Sequence, residues 1–430
     1  MAEEKKPGLR RAVVALQHRD FRLLYLAGLV SATGGMIQTM VSLWQIYELT
    51  GSAIHLGLTG FARAIPIILF SLAGGVIADR FDRRRIIMIP QALGGLFAVT
   101  LGGLTAMGQI DVWHIYAVTF LSSAVTSIST PARTAIIASL VPQHHLVNAM
   151  ALNSTTWQGT RILAPSIAGA MMVTVGFPLT YLITGAAFLL TCLALSFIYL
   201  GPIPRRSQRT MVQDLVEGLS FVRQRSIILA LLATDSAAML FGSIQALLPI
   251  IADNLAGGTG AEDRSLGPAM FGLLTSAEGV GAILGAFVIM YLGDFRYKGF
   301  FIVGSILAYC VCLVGLALSP WFALTLLMVA GLGITDSFQS TPRNAVIQLI
   351  TPEELRGRVS SFQHMLVVGM PSFGQGFMGG AAALLGVPLA LGLGAAACAS
   401  INVGLLVGRK DLRARDLGAV PAETASNRSA

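Results

Sequence analysis

Stretches of 18 or more predominantly apolar residues recur along almost the whole chain, and each is long enough to cross a bilayer as a helix. Hydrocarbon offers backbone N–H and C=O groups no partners, and these runs are about twice the length a barrel strand needs, so helices are the only spanning structure they admit. The chain has 430 residues, of which 12% are charged. A soluble globular domain carries about 25%. An all-α integral membrane protein is therefore expected, which sets aside soluble enzymes and nucleic-acid binders.

Apolar runs bounded by charges or by Gly/Pro turns predict twelve spans, at residues 22–47, 56–78, 86–107, 112–132, 149–175, 178–200, 227–252, 268–293, 299–318, 321–341, 359–385 and 388–408. Twelve is even, so both termini share one side. Of the 29 Lys and Arg, all but three fall in the N-terminal segment, the even-numbered connections or the tail; the three are Arg264 on the opposite face and Arg63 and Arg161 within spans. The positive-inside rule places both termini in the cytoplasm. The net charge of +8 then reads as an orientation signal, not as a nucleic-acid footprint. No signal peptide is expected before the first span, because residues 1–19 are charged and the following run is too long for an h-region. Cys192, Cys310, Cys312 and Cys398 all fall within spans without the spacing of a metal site, and read as buried structural thiols.

The longest polar stretch between spans divides six from six. The expected organisation is a cytoplasmic N-terminal segment (1–21), a six-helix bundle (22–200), a cytoplasmic linker with an amphipathic interfacial helix from Met211 to Val222 (201–226), a second six-helix bundle (227–408) and a disordered cytoplasmic tail (409–430). The halves repeat. Gly35 to Gln38 matches Gly242 to Gln245 at an offset of 207; Gly57-Leu58 matches Gly272-Leu273 at 215, and the same offset carries Arg63 onto Glu278 and Asp79 onto Asp294. Pro142 matches Pro352, and Gly176-Phe-Pro-Leu179 matches Gly386-Val-Pro-Leu389, both at 210. Halves with an even number of spans have the same orientation, so they are expected to be related by a pseudo-two-fold axis along the membrane normal. That is an arrangement of secondary transporters, with the site between the halves near the midplane.

After the second span comes Gly75-Val-Ile-Ala-Asp79-Arg80-Phe-Asp82-Arg83-Arg84. It resembles the G-x-x-x-D-R-x-G-R-R loop of the major facilitator superfamily, with Asp82 where the general motif has glycine. The variant is similar to the enterobactin-exporter and macrolide-efflux branch. His18 to Arg22, Thr130-Pro-Ala-Arg133, Leu140-Val-Pro142 and Leu146 to Asn153 agree, and the resemblance covers residues 18–408. It implies that Gly75, Asp79, Arg80 and Arg83 gate the conformational change, a cluster that latches helices in one state and releases them in another. In the fifth span Ala164-Pro165-Ser-Ile-Ala168-Gly169 is similar to the G-P-x-x-G-G element of exporters, with alanines for two glycines.

Ionisable groups inside spans are costly, and each is a functional candidate by default. Arg63, Arg161, Asp235 and Glu278 are the candidates for proton coupling, with Asp336 nearer a cytoplasmic end. At ~1.5 Å per residue Glu278 lies roughly 15 Å below the outer surface and Arg161 roughly 20 Å above the inner one, and the superfamily fold faces their spans together. An Arg161–Glu278 pair is expected. Gln38, Gln245, Asn153 and Trp157 are candidates for the substrate cavity, although interhelical hydrogen bonds also account for the glutamines.

The leading expectation is a proton-coupled antiporter exporting a drug-like or siderophore-like molecule by alternating access across the bacterial inner membrane. The alternatives are a facilitator or importer of a small metabolite, or a membrane enzyme or lipid-handling protein on the same scaffold. No Walker A sequence and no convergent cluster of nucleophile, base or metal ligands is present in the sequence, so no enzyme activity, cofactor or metal is expected. Expected partners are a small-molecule substrate, protons and membrane lipids, with no nucleic acid and a monomeric chain.

Overall fold

A computed structural model describes residues 13–80, 82–198, 219–258, 264–293 and 295–413, with the side chains of residues 71–80, 83, 130–132, 134, 135, 138, 258, 264, 354, 357, 358, 361, 364 and 410 outside the description. The described residues contain no strand. Thirteen α-helices have both ends among the described residues: α1 (Arg19–Thr50), α2 (Ala53–Arg80), α3 (Arg83–Ala106), α4 (Val112–Leu140), α5 (Gln143–Thr174), α6 (Gly176–Ser196), α7 (Ser226–Phe241), α8 (Leu248–Gly258), α9 (Gly267–Leu292), α10 (Lys298–Ala317), α11 (Phe322–Ile350), α12 (Glu353–Leu385) and α13 (Val387–Gly408). Nine are individually long and apolar enough to cross a membrane. Helices α5 and α12 are also long, at 32 and 33 residues, but more polar. Helices α7 and α8 form one interrupted crossing, completing the twelve-span all-α architecture.

That interruption corrects the continuous seventh span expected over 227–252. Helical structure stops from Gly242 to Leu247. A Cβ at Gly242 would land within 2.6 Å of Ala238 O and against the Tyr309 ring, and Tyr309 OH occupies the space by donating to Gly242 O at 2.7 Å. Ser243 Oγ lies 3.1 Å from Pro371 O and 2.9 Å from Gln245 Oε1. The Tyr309 hydroxyl thus meets a backbone carbonyl at the break, as a membrane interior requires.

Two span ends also move. Arg133 and Arg343, assigned above to cytoplasmic connections, lie within α4 and α11, which run on to Leu140 and Ile350. Protein packing, not water, surrounds Arg343, which is 2% exposed.

The repeated motifs mark joints. Pro142 and Pro352 are the N-caps of α5 and α12, with ψ near 150° in both. Gly176 and Gly386 adopt φ of 75° and 82° where α5 turns into α6 and α12 into α13, a left-handed conformation that glycine takes without Cβ strain. Asp82, the departure from the motif's glycine, has φ −58° and caps α3 by accepting from Arg84 N at 2.9 Å. A left-handed residue is not needed there, so an acceptor for an orphan N–H serves instead.

Contacts among residues divide the chain into two compact units. The first comprises Met1–Gly51, Ala62–Arg209 and Ala256–Ser276, and the second Ser52–Phe61, Thr210–Leu255 and Ala277–Ala430. Each unit therefore includes the opening turns of a helix whose remainder belongs to the other. In the first, α9 crosses α5 at glycines: a Cβ at Gly272 would meet Pro165 O and the Gly169 Cα. Ser166 Oγ sits 2.7 Å from Ser276 Oγ at the same crossing. In the second, α2 crosses α12 likewise, with Gly57 against Gly379 and Gly60 against Ser372 O. The matched Gly57 and Gly272 are both such crossing points, where small residues let backbones approach.

Within the first unit, Tyr181 OH donates to Gln45 Oε1 at 2.9 Å and lies 3.2 Å from Ser42 Oγ, while Gln45 Nε2 donates to Thr105 Oγ1 at 3.0 Å. This buried network ties α1, α3 and α6 together. The outward faces are apolar instead, with Leu384 87% and Val311 70% exposed, an inversion expected of a surface solvated by lipid.

Candidate functional site

Helices α7, α11 and α12 of the second unit enclose a buried polar cluster. Asp235, the tenth residue of α7, is 3% exposed and forms an ion pair with Arg343 of α11. Gln339, one turn before Arg343, donates from Nε2 to Asp235 Oδ1 and to Asp336 Oδ1, both at 3.1 Å, and accepts from Arg343 Nη1 at 3.0 Å. Arg343 Nη2 reaches Asn344 Oδ1 at 3.5 Å, and Asn344 Oδ1 also accepts from Gln363 Nε2 of α12. Two carboxylates and one guanidinium are thus joined through the Gln339 amide. Burying such charges costs several kcal/mol per ion unless they are paired and hydrogen-bonded, which accounts for the density of the network.

Glu278 sits on α9 at partial exposure, where α9 and α11 approach so closely that a Cβ at Gly333 would strike Glu278 O and one at Gly281 would strike Ala330 O. Two of the four expected coupling residues, Asp235 and Glu278, therefore belong to one unit. Arg63 and Arg161 belong to the first unit, both on exposed helix faces.

The expected cavity residues are dispersed in kind. Gln245 lies in the break between α7 and α8, where Ser243 Oγ donates to its Oε1. Its repeat partner Gln38 is 9% exposed within unbroken α1. Identical residues at matched positions thus sit in different backbone. Asn153 lines a pocket of the first unit with Arg133, Tyr25 and Thr156, whereas Trp157 is 52% exposed on the surface of α5. The expected gating residues Gly75, Asp79, Arg80 and Arg83 lie outside the described side chains. Their neighbour Arg84 is described and donates from Nη2 to Ser196 O, fastening α3 to α6.

Arg343 and Gln339 were not among the expected site residues. A signal for Arg343 was present: Arg133 maps onto it at the offset of 210 that relates Pro142 to Pro352. Reading the tenth span as ending at residue 341 concealed it.

Comparison with known proteins agrees with this architecture. The family model described as transmembrane secretion effector matches residues 11–427. The Enterobactin exporter EntS of Escherichia coli O81 (strain ED1a) is 23% identical over 369 residues, covering 86% of this chain and 86% of that protein. Among solved structures, the nucleoside transporter NupG superposes with a TM-score of 0.70 at 11% identity, covering 90% of this chain and 98% of that one. A bacterial homologue of the human lysosomal transporter Spinster gives 0.64 at 16% identity, covering 93% and 96%. At these identities the structures speak for the fold alone.

Proposed function

The chain belongs to the transmembrane secretion effector family of the major facilitator superfamily, and within it we propose a proton-coupled exporter that carries a siderophore-like or drug-like small molecule by alternating access. It is a multi-pass membrane transporter and not an enzyme. The proposed location is the bacterial inner membrane with both termini in the cytoplasm. The export direction draws on the similarity to an enterobactin exporter.

The observation that carries the coupling is the buried contact of Asp235 with Arg343 and Gln339. A carboxylate facing a guanidinium keeps its charge, whereas one separated from that partner in a low-dielectric interior is more stable with a proton bound. Movement of α7 against α11 would then load or release one proton. Glu278 is the second proposed carrier.

The test is pH-gradient-driven transport in proteoliposomes, screened over antibiotics, dyes and siderophores with and without an uncoupler. Asp235→Asn and Glu278→Gln are each expected to reduce gradient-driven movement while leaving movement down a substrate gradient. Full gradient-driven transport in both variants, or uncoupler-insensitive transport of every substrate by the parent protein, removes proton coupling through these residues.

A further inference from the structure

Two of the motif segments, His18 to Arg22 and Leu146 to Asn153, stand at the starts of α1 and α5, and the first unit joins them there. A short 3-10 turn, Val14–Gln17, precedes α1. Its Ala15 is fully buried, donates its N–H to Asn148 Oδ1 of α5 at 3.0 Å, and belongs to one core with Phe21, Leu24, Ile136, Ile137 and Ala149. Beside this anchor, His18 Nε2 and His145 Nδ1 lie 3.1 Å apart. The centroids of those rings are 5.3 Å apart, and the His144 ring stands edge-on to His145 at 4.2 Å. His18 is also the N-cap of α1, with its own N–H on Ala15 O at 3.2 Å. A buried alanine and an imidazole pair thus hold the turn against α5.

Two facing imidazole nitrogens bond only while one of them keeps a lone pair. With both rings neutral, or with a single proton added, one nitrogen donates and the other accepts. A second proton makes donors of both, and the bond becomes a contact between like charges. Such a pair takes up its protons in two steps that belong to the pair and not to either ring. The surroundings oppose the second step. The turn itself carries no titratable side chain. Among the described residues, the elements packed on this core bring Arg19, Asp20 and Arg22 on α1, Asp82, Arg84 and Arg85 at the start of α3, Arg133 on α4 and His144 on α5, so cations outnumber acids. Partial burial, and after it the rings of His144 and His18, already push His145 below the ordinary histidine value.

We propose that the segment from Val14 to His18 is a pH-sensitive latch between the starts of α1 and α5, closed while His18 and His145 hold at most one extra proton between them and released when both are protonated. Release withdraws Ala15 from Asn148 and from the core it covers, and unties α1 from α5 at this end. The sign follows from proton counts. Below the ordinary histidine value of about 6.5 the open form holds one proton more than the closed form, so the closed-to-open ratio falls about tenfold for each pH unit. The latch is fully engaged above that range and is lost as pH falls. It stands independently of proton-coupled export, since it requires only the geometry of the first unit. On the proposed topology it faces the cytoplasm and answers to acid there.

The experiment is hydrogen–deuterium exchange of the purified full chain in detergent, read by mass spectrometry on the peptide holding residues 13–18 and corrected for the intrinsic pH dependence of amide exchange. Between about pH 7.5 and about pH 5 the protection of that peptide should fall about tenfold or more, while a peptide of α6 around Tyr181 keeps its own. His18→Gln and His145→Gln each leave a single titrating ring facing an amide that can donate or accept. Protection of the turn should then stay nearly constant over the same range. A parent peptide that stays protected at the lower pH overturns the proposal, as does a variant that loses protection as the parent does. An equal fall around Tyr181 in the parent also overturns it, because that reports unfolding of the whole unit. Both histidines are partly exposed at a helix start, so the variants are expected to fold. Should one of them not, the parent and the other variant decide.

Discussion

Asp235 and Arg343 are each almost inaccessible, so their energies are inseparable. Removing one member of a buried ion pair costs about 3–5 kcal/mol, chiefly because the surviving charge is stranded. Replacing both partners with neutral groups of similar shape is often neutral. Asp235→Asn is therefore expected to lower the unfolding midpoint strongly, and Asp235→Asn with Arg343→Gln to restore most of the loss. Gradient-driven transport should stay impaired in the double variant. The two readouts separate a carboxylate that carries protons from one that only holds the fold. Restored transport in the double variant would assign the pair a structural role. Gln339 stays as the control, since its amide can still bridge to Asp336 in all three proteins.

Helix ends and breaks decide what can be read at the next scale. Asp82 caps α3 through a single acceptor bond to Arg84 N. Losing a cap to alanine costs about 1 kcal/mol, and to glycine only a few tenths. Asp82→Ala should thus destabilise more than Asp82→Gly in thermal unfolding, and the reverse order would show that the loop needs glycine freedom after all. The spans were legible because hydrocarbon leaves the backbone no alternative to helix, and the Gly-x-Pro-Leu joints because a left-handed turn selects glycine. The break at Gly242 was not. Its sequence matches Gly35 to Gln38, which stay helical, and the difference comes from Tyr309 and Pro371, far away in sequence. The ion pair was half legible for a related reason. An isolated aspartate within an apolar run stands out, whereas Arg343 follows a proline and resembles the edge of a cytoplasmic connection.

At the scale of the whole molecule, the positions of Arg133 and Arg343 within helices remove two of the 29 cations from the orientation argument. Arg80 and Arg83 to Arg85, Arg205, Arg206 and Arg209, and Arg356 and Arg358 remain on even-numbered connections. The bias therefore survives, because the rule depends on cations within roughly 15–20 residues of span ends and not on those inside helices. It predicts opposite exposure for two joints that both hold accessible glutamines, Gln109 between α3 and α4 and Gln143 at the start of α5. In a background with Cys192, Cys310, Cys312 and Cys398 replaced by serine, Gln109→Cys should react with a membrane-impermeant maleimide applied to intact cells. Gln143→Cys should react only after the membrane is permeabilised. Labelling in the opposite sense would invert the protein and, with it, the direction in which the proposed proton gradient drives its cargo.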